Sequence, residues 1–549
     1  MKIALAQLNY HIANFESNSN KIIQSINRAK DEGADLIVFS EMSVCGYPPQ
    51  DLLEQKDFID NVERTIQKIA DCCDNIAAVI GAPLINQSRK GKKLFNAAVF
   101  INNGQIEFIQ AKTHLPTYDV FDEYRYFEHN TLFNILEFRG KRIALTICED
   151  LWDNHPVGNS FAKDKLYTIS PMEQFKKHQP DFVINIAASP FSYNQSDHRK
   201  NILVDNSKQY EVPIVYVNQI GANTELIFDG GSMVLNKRGE IITRLQFFNE
   251  DFQMVNMEEL DKMEALPAAE TNYLEKIHDA LVLGIRDYFG KMNFKIATLG
   301  LSGGIDSALT LAIAERALGA GNLHVLLLPS RYSSDHSIKD AVDMAENLGI
   351  KYDILNIESA FNTFEDSLKE LFTGKESDIT EENIQARIRG VYLMALSNKF
   401  GNILLNTSNK SEAAVGYGTL YGDMNGGLSV LGDVYKSDVF KLARFMNRNG
   451  EVIPENTITK PPSAELRPDQ KDTDSLPDYD ILDDILFSYI EQKSSLEEIV
   501  KKGHKADLVK RVISLVNRNE YKRFQTAPIL RVSSKAFGFG RRMPLVAKY

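Results

Sequence analysis

Two sets of residues in this sequence have the types and spacing to do chemistry. The tighter set is Gly300-Leu301-Ser302-Gly303-Gly304-Ile305-Asp306-Ser307, which follows the apolar run KIATL and opens the helix-like run ALTLAIAERA. Glycines let a backbone turn tightly enough to aim its amides, and the helix N-terminus behind them, at a phosphate. Ser302 and Ser307 add hydroxyl donors. A carboxylate beside phosphates needs a cation between them, so Asp306 implies Mg²⁺. The loop lacks the lysine of G-x-x-x-x-G-K-[ST] and is a different kind of phosphate loop. The looser set is Glu41, Lys112 and Cys148, at or just after the ends of the strand-like runs DLIVFSE, QIEFIQA and RIALTIC. Strand ends of this kind put polar side chains at the rim of a sheet, where sites form. Taken singly, each also fits a plainer role, the cysteine as a small buried hydrophobe and the two charges as solvated surface groups.

The elements that must position these residues follow two rhythms. From Met1 to about Met257, short apolar runs recur, among them KIALAQL, AAVIGAP, NAAVFIN, DFVINIAAS, IVYVNQIG and SMVLN. Helix-period segments such as SNKIIQSINRAKDEG and DNVERTIQKIADCC separate several of them. Strands both in adjacent pairs and between helices predict a mixed α/β layering. The rhythm lapses over residues 259–273, which carry acid, Ala and Pro and read as a linker between a domain at 1–258 and another at 274–549. Beyond it, one helix (LEKIHDALVLGIRDYFGKM) precedes strand–turn–helix units at KIATLGLSGGIDSALTLAIAERA, HVLLLPS and GNILLNTS. That alternation predicts a parallel sheet doubly wound with helices. Pro, Asp and Ser enrich the stretch from Pro454 to Asp484, which reads as a long loop before helical segments and a basic tail.

Composition narrows the function classes. At 549 residues the chain exceeds what one hydrophobic core serves, so two domains are expected. Hydrophobic residues at 43% supply full cores without metal or disulfide staples. A net charge of −12 argues against a general nucleic-acid or membrane-surface binder, and no run is long enough to span a membrane. Cys45, Cys72, Cys73 and Cys148 make neither a disulfide framework nor a zinc pattern. MKIALAQLNY reads as a buried strand rather than a signal peptide, and the expected compartment is a reducing cytoplasm.

The segments SEMSVCGYP around Glu41, KTHLPTYDVFDEYRYF from Lys112 and ICEDLW around Cys148 resemble the nitrilase superfamily, over essentially the whole first half. The resemblance implies an αββα sandwich and a Glu–Lys–Cys triad that hydrolyses C–N bonds. Each residue type suits its task. An amide is a poor electrophile and calls for a thiolate nucleophile, here Cys148. Glu41 would take the thiol proton and later activate water, and Lys112 would stabilise the oxyanion. Ammonia and a thioester result, and the thioester hydrolyses to glutamate. By the same resemblance Tyr118 and Ser189 contact glutamine. Gln195 stands where such enzymes often carry Lys or Arg, a departure that bears on how the glutamine carboxylate is held. Glu123 is a further candidate beside the triad, with a structural ion pair as its plainer role. Cys45 reads as packing, and Cys72 and Cys73 as structural.

The S-G-G-x-D-S loop resembles the ATP pyrophosphatases, which cleave ATP between the α- and β-phosphates and adenylate a substrate. PSRYSSDHS, EENIQARIRG, LLNTSNKSEAAVGYGTLYGD, KPPSAELRPDQ and KAFGFGRRMP resemble NAD synthetases across nearly the whole second half. With the nitrilase-like half in front, the resemblance is to the glutamine-dependent members. It implies that Thr407 contacts ATP with the loop residues, and that Glu412 ligates Mg²⁺ with Asp306 or faces deamido-NAD. It further implies that Asn383, Asp423, Lys436 and Lys522 contact deamido-NAD. Arg331 and Ser463 are candidate nucleotide-phosphate ligands, with a helix cap or surface ion pair as the plainer role. The chemistry is coherent. A carboxylate oxygen leaves badly, so transfer of AMP onto the nicotinic acid carboxylate activates it, with Mg²⁺ offsetting the phosphate charge. Free ammonia is mostly protonated at neutral pH and diffuses away, so the family implies a protein channel, and it implies a homo-oligomer. Two rivals stay open: a glutamine-fuelled synthetase acting on another carboxylate or nucleotide, and a plain amidase with a nucleotide-sensing module.

Overall fold

Alternating side chains sort the first half into layers. Along Lys2–Gln7, Ile3 and Leu5 enter one core while Ala4 and Ala6 enter another, and Leu36 and Val38 part from Ile37 in the same way. A strand's period of two puts successive residues on opposite faces. The computed structural model describes residues 1–88, 90–153, 166–267, 272–468 and 470–548. It divides into two compact units, Met1–Glu270 and Thr271–Tyr549.

The first unit has two six-stranded mixed sheets and a separate two-stranded ribbon. One runs, edge to edge, Asp251–Asn256, Lys2–Gln7, Leu36–Val38, Ala77–Ile85, Leu94–Asn102 and Gln105–Ala111. The other runs Ile241–Arg244, Met233–Leu235, Ile214–Asn218, Phe182–Ala187, Lys141–Ile147 and Leu136–Phe138. The inner faces share one core, which joins Ile3, Leu5 and Val79 to Ile143, Ile184 and Val215. Helices Phe15–Asp31 and Lys56–Ala70 cover the outer face of the first sheet with Ile22, Ile26, Ile59, Val62 and Ile66. Helices Pro171–Lys176 and Gln195–Tyr210 bring Met172, Phe175, Ile202 and Leu203 to the second. The αββα sandwich implied by the sequence is present.

The second unit holds a five-stranded sheet in the order Lys351–Ile354, Leu323–Leu327, Ala297–Gly300, Ile403–Asn406 and Leu428–Ser429, every pair parallel. The strand that comes first in sequence, Ala297–Gly300, lies at the centre, so the chain winds outward one way and then returns to wind the other way, as expected. Helix Tyr273–Met292 leads into it, capped by Asn272 Oδ1, which accepts from the Leu274 N–H at 3.0 Å. Residues 268–271 of the expected linker lie outside the described residues. The loop expected from Pro454 to Asp484 is shorter than its composition suggests, because helices Glu455–Thr459 and Tyr479–Ile490 interrupt it. Leu482, Ile485, Leu486 and Ile490 recur at helical spacing and are buried, and that spacing outweighs the Asp content. Among the described residues no helix is long and apolar enough to cross a membrane, and all four cysteines are free.

Two candidate active sites

Buried charge marks the first site. Lys112 is 1% exposed and Glu41 0%, a placement that is costly unless the charges are paired. They are paired: Lys112 Nζ donates to Glu41 Oε1 and to Glu123 Oε1, each at 2.8 Å. Asn96 Nδ2 donates to Glu41 Oε1 at 2.6 Å, the Ala188 N–H to Glu41 Oε2 at 2.9 Å, and the Tyr47 hydroxyl to Glu123 Oε1 at 2.9 Å. Burial works against the Lys112 charge, but Glu123 and Glu41 outweigh it and hold the ammonium pKa well above its usual range. Burial pushes the Glu123 carboxyl up to about 7, against the pull of Lys112.

Cys148 enters this site through strain. Strand Lys141–Ile147 ends, and Cys148 opens a 3₁₀ turn, Cys148–Leu151, with φ +42°. A non-glycine residue holds that conformation only where its surroundings enforce it. Asp150 does so: its Oδ1 accepts from the Thr113 and His114 N–H groups and its Oδ2 from the Ile147 N–H, all at 2.9 Å. The turn is thereby tied to the residues just after Lys112. Burial pushes the Cys148 thiol well above its usual range, Glu41 adds to this and Lys112 partly offsets it. The resting sulfur is a thiol and needs a base.

Tyr118 lies beside this turn, donating its hydroxyl to Glu149 Oε1 at 2.7 Å, and Tyr167 donates to the same oxygen at 3.0 Å. Ser189 is buried, its N–H donating to Asn218 Oδ1 at 2.9 Å, and Gln195 opens helix Gln195–Tyr210, half-buried. Among the described residues neither side chain hydrogen-bonds to Glu41, Lys112 or Cys148. Sequence reasoning missed Asn96, Asp150 and Tyr167, and also Arg199, buried on the helix of Gln195 and paired with Asp229 at 2.8 Å. Glu149 and Asp150 lie within the ICEDLW segment; Tyr167, outside any helix or strand, had no signal.

The second site is a cavity of about 320 Å³ beyond the C-terminal ends of Ala297–Gly300, Leu323–Leu327 and Ile403–Asn406. Its centre is where the winding direction changes, the usual ligand crevice of such sheets. Gly300 to Ser307, apart from Gly303, line it, with Thr407, Glu412, Asp423, Lys436 and Ser463. The loop is braced internally: Ser302 Oγ accepts from the Gly304 N–H at 3.2 Å and lies 3.1 Å from Ser307 Oγ. Gly303 has φ +77°, and a Cβ there would sit 2.2 Å from Ser337 O. Gly303→Ala therefore has to move the loop, with strain of about 1–3 kcal/mol. The expected result is ATP binding weakened ~10-fold or more with the fold retained, read by calorimetric titration. Unchanged affinity would show the loop geometry to be irrelevant to ATP.

Lys436 Nζ stands between two carboxylates, ion-paired to Asp306 and 3.4 Å from Glu412 Oε1. Burial pushes Glu412 up to about 8, Asp306 adds to the shift and Lys436 opposes it. Asn409 Nδ2 donates to Asp306 Oδ1 at 2.9 Å. Two hard carboxylates facing a phosphate loop, already gathering positive charge, fit Mg²⁺, which takes one or two carboxylates and fills its shell with phosphate oxygens and water. Among the described residues no group of three or more His, Cys, Asp or Glu could hold a metal by itself.

Other expected ligands lie outside the lining. Asn383 Oδ1 accepts from the Thr419 hydroxyl at 2.7 Å, and Lys522 Nζ donates to Gly416 O and Gly418 O at 2.8 Å each. Arg331 is turned away, ion-paired to Glu358 and donating to Asn362 Oδ1 at 2.5 Å. Arg389, which sequence reasoning missed, lines the cavity. Its Nε donates to Leu328 O at 3.0 Å, and among the described residues no carboxylate pairs with it. Burial pushes its pKa down to about 10. Ala386, Arg389, Gly390 and Leu393 share one face of helix Ile379–Phe400, so the spacing within EENIQARIRG carried the signal.

Comparison with known proteins covers the whole chain. A carbon–nitrogen hydrolase family model matches residues 2–265, and an NAD synthase model matches residues 277–526. The glutamine-dependent NAD(+) synthetase of Synechocystis sp. is 44% identical over 557 residues, 100% of this chain and 99% of that protein. That of Thermotoga maritima is 38% identical over 591 residues, 100% of this chain and 99% of that protein. The glutamine-dependent NAD+ synthetase of Acinetobacter baumannii, solved in complex with ADP, is 40% identical with a TM-score of 0.78, covering 99% of this chain and 98% of that one. The structure from Cytophaga hutchinsonii, 21% identical with a TM-score of 0.82 over 100% of this chain and 98% of that one, shows the same fold. With Glu41, Lys112 and Cys148 buried in one unit and the Ser-Gly-Gly loop lining a cavity in the other, the chain belongs to the glutamine-dependent NAD(+) synthetases.

Proposed function

We propose that Cys148, Glu41 and Lys112 release ammonia from glutamine, and that the Gly300 to Ser307 loop binds ATP for adenylation of deamido-NAD. Glu41 takes the thiol proton as Cys148 Sγ attacks the amide carbon, and Lys112 faces the oxyanion. Ammonia leaves with the proton. Water, deprotonated by Glu41, then attacks the thioester, and glutamate leaves as the thiol is restored. Tyr118, Ser189 and Gln195 hold the glutamine. In the second site a carboxylate oxygen of deamido-NAD attacks the α-phosphorus of ATP and pyrophosphate departs. Ammonia attacks the activated carbon and AMP departs, leaving the amide. Asp306 and Glu412 would hold Mg²⁺, which when bound offsets charge on the triphosphate. Thr407 and the loop amides orient the phosphates, Lys436 and Arg389 supply positive charge, and Asn383, Asp423 and Lys522 hold deamido-NAD. Arg331 reaches ATP only by leaving Glu358. Residues 259–273 serve as the linker, and a cytoplasmic homo-oligomer is the expected working form.

The observation that carries this reading is the gathering of Asp306, Glu412 and Lys436 against the phosphate loop. Incubation with deamido-NAD, ATP and Mg²⁺ should yield NAD, AMP and pyrophosphate with glutamine or with ammonium salts. Formation of ADP instead would exclude adenylation. Lys112→Ala should lower the glutaminase rate by at least ~10²-fold, as expected for loss of an oxyanion donor. A loss below ~3-fold would leave Lys112 a structural role only.

A further inference from the structure

Helix Lys436–Met446 starts without a cap of its own, because the residue before it, Tyr435, contributes no side-chain hydrogen bond. The first N–H groups of a helix have no partner within it, and leaving them unmet in a buried setting is costly. Two other elements meet them here. Ser411 Oγ accepts from the Lys436 N–H at 2.9 Å, and Asp483 Oδ2 accepts from the Ser437 N–H at 2.8 Å. The Ser411 hydroxyl gives its own proton to Asp483 Oδ1, so both carboxylate oxygens are engaged. Ser411 is 0% exposed and Asp483 5%. Among the described residues no cation pairs with Asp483, and the positive end of helix Lys436–Met446 offsets its charge instead.

This buried link joins three helices. Asp483 lies on Tyr479–Ile490, Ser411 on Lys410–Val415, and Lys436 is the first residue of Lys436–Met446. The Lys410 N–H also donates to Val434 O at 2.9 Å, which ties the second helix to the approach of the third. Together they carry the charges that face the phosphate loop. Glu412 follows Ser411 in the chain, and Lys436 Nζ is ion-paired to Asp306 and 3.4 Å from Glu412 Oε1. Neither Asp483 nor Ser411 lines the cavity, so any effect they have on its chemistry passes through the residues that do. We infer that Asp483 is a positioning residue for ATP use: through Ser411 and the first N–H groups of helix Lys436–Met446 it fixes Lys436 against Glu412, and so the charge that ATP and Mg²⁺ meet. The inference rests on the reading of this cavity as the ATP site.

Calorimetric titration of the full-length chain with ATP and Mg²⁺ tests it, because affinity and the number of intact sites are read together. Asp483→Asn offers one acceptor where two donors need it, and Ser411→Ala removes the hydroxyl between carboxylate and helix. Each is expected to weaken ATP binding ~10-fold at unchanged stoichiometry. Both act on one chain of bonds, so the double variant should bind within ~2-fold of the weaker single one. In a Lys436→Ala background Asp483→Asn should likewise add less than ~2-fold, since the side chain it positions is gone. Glutamate release should stay within ~3-fold of wild type in both single variants, while AMP formation with ammonium chloride falls. A lower stoichiometry or melting temperature with unchanged affinity would make Asp483 structural only and overturn the inference. A further ~10-fold loss in the Lys436→Ala background would overturn it too. If Lys436→Ala by itself left ATP binding and AMP formation unchanged, the reading of the ATP site would fail first, and this inference with it.

Discussion

Cys148→Ala is expected to abolish NAD formation from glutamine while ammonium salts still support it. The argument begins at the strained turn. Cys148 holds φ +42° because Asp150 ties the turn to Ile147, Thr113 and His114 through its own carboxylate, so removal of the sulfur leaves those bonds in place. The side chain lost is small, and its burial among Ile147, Leu151 and their neighbours predicts a modest loss of stability. What disappears is the only nucleophile of the proposed triad. Glutamine-dependent synthesis should fall at least ~10⁴-fold, the scale on which covalent catalysis fails without its nucleophile. Ammonia supplied from solution bypasses that step, so the rate with ammonium chloride should stay within ~3-fold of wild type. Assaying NAD by chromatography with each nitrogen source measures both numbers. Persisting glutamine-dependent synthesis would remove Cys148 from the triad; parallel loss with both donors would mean that the substitution damages more than nitrogen supply.

What the sequence made legible follows from how local each signal is. The period of two along KIALAQ and the strand–glycine–helix join at Gly300 are local, and both appear where expected. Asp306 is legible in the loop itself and Glu412 only by resemblance, and the fold brings both onto Lys436. Asp150 was hidden for a different reason: its work is done on backbone groups of residues 113, 114 and 147, and no spacing announces a carboxylate aimed at distant amides. Tyr167 lies outside regular structure, and only tertiary folding sets it against Glu149. Arg389 was within reach, since helical spacing places it with Ala386 and Leu393, but a lone arginine on that face is legible only once the cavity is known. Arg331, a candidate phosphate ligand in the sequence, is held here by Glu358 and Asn362, partners that its local sequence does not reveal. The stretch from Pro454 is less of a loop than its Pro, Asp and Ser content suggests, because Leu482, Ile485 and Leu486 recur at helical spacing.

Asp306→Asn should separate the two chemistries more sharply than any other single change. Asp306 opens helix Ile305–Leu318 on the phosphate loop, lines the cavity, and is bound by Lys436 and Asn409. Asparagine keeps the size and an oxygen for the Asn409 amide, and Lys436 retains Glu412 as a partner, so the fold should hold. The change removes the negative charge on one side of the proposed Mg²⁺ position. Glu412 alone would then hold the cation, and burial favours keeping that carboxyl protonated. Loss of charge stabilisation at a phosphate site is expected to lower AMP and NAD formation by ~10³-fold or more, equally with glutamine and with ammonium. Glutamine hydrolysis, which depends on Cys148, Glu41 and Lys112 in the other unit, should continue. Raising the Mg²⁺ concentration should recover part of the lost synthesis, since the defect lies in affinity as well as in chemistry. Three readouts on one preparation decide the matter: AMP and NAD by chromatography, glutamate release, and the Mg²⁺ dependence of the residual rate. Undiminished synthesis would take Asp306 out of the metal site. Loss of synthesis with glutamate release also gone would indicate a collapsed fold, to be checked by thermal denaturation. Loss of synthesis alone, partly recovered by Mg²⁺, is the outcome expected of a carboxylate that lies in the loop and pairs with Lys436.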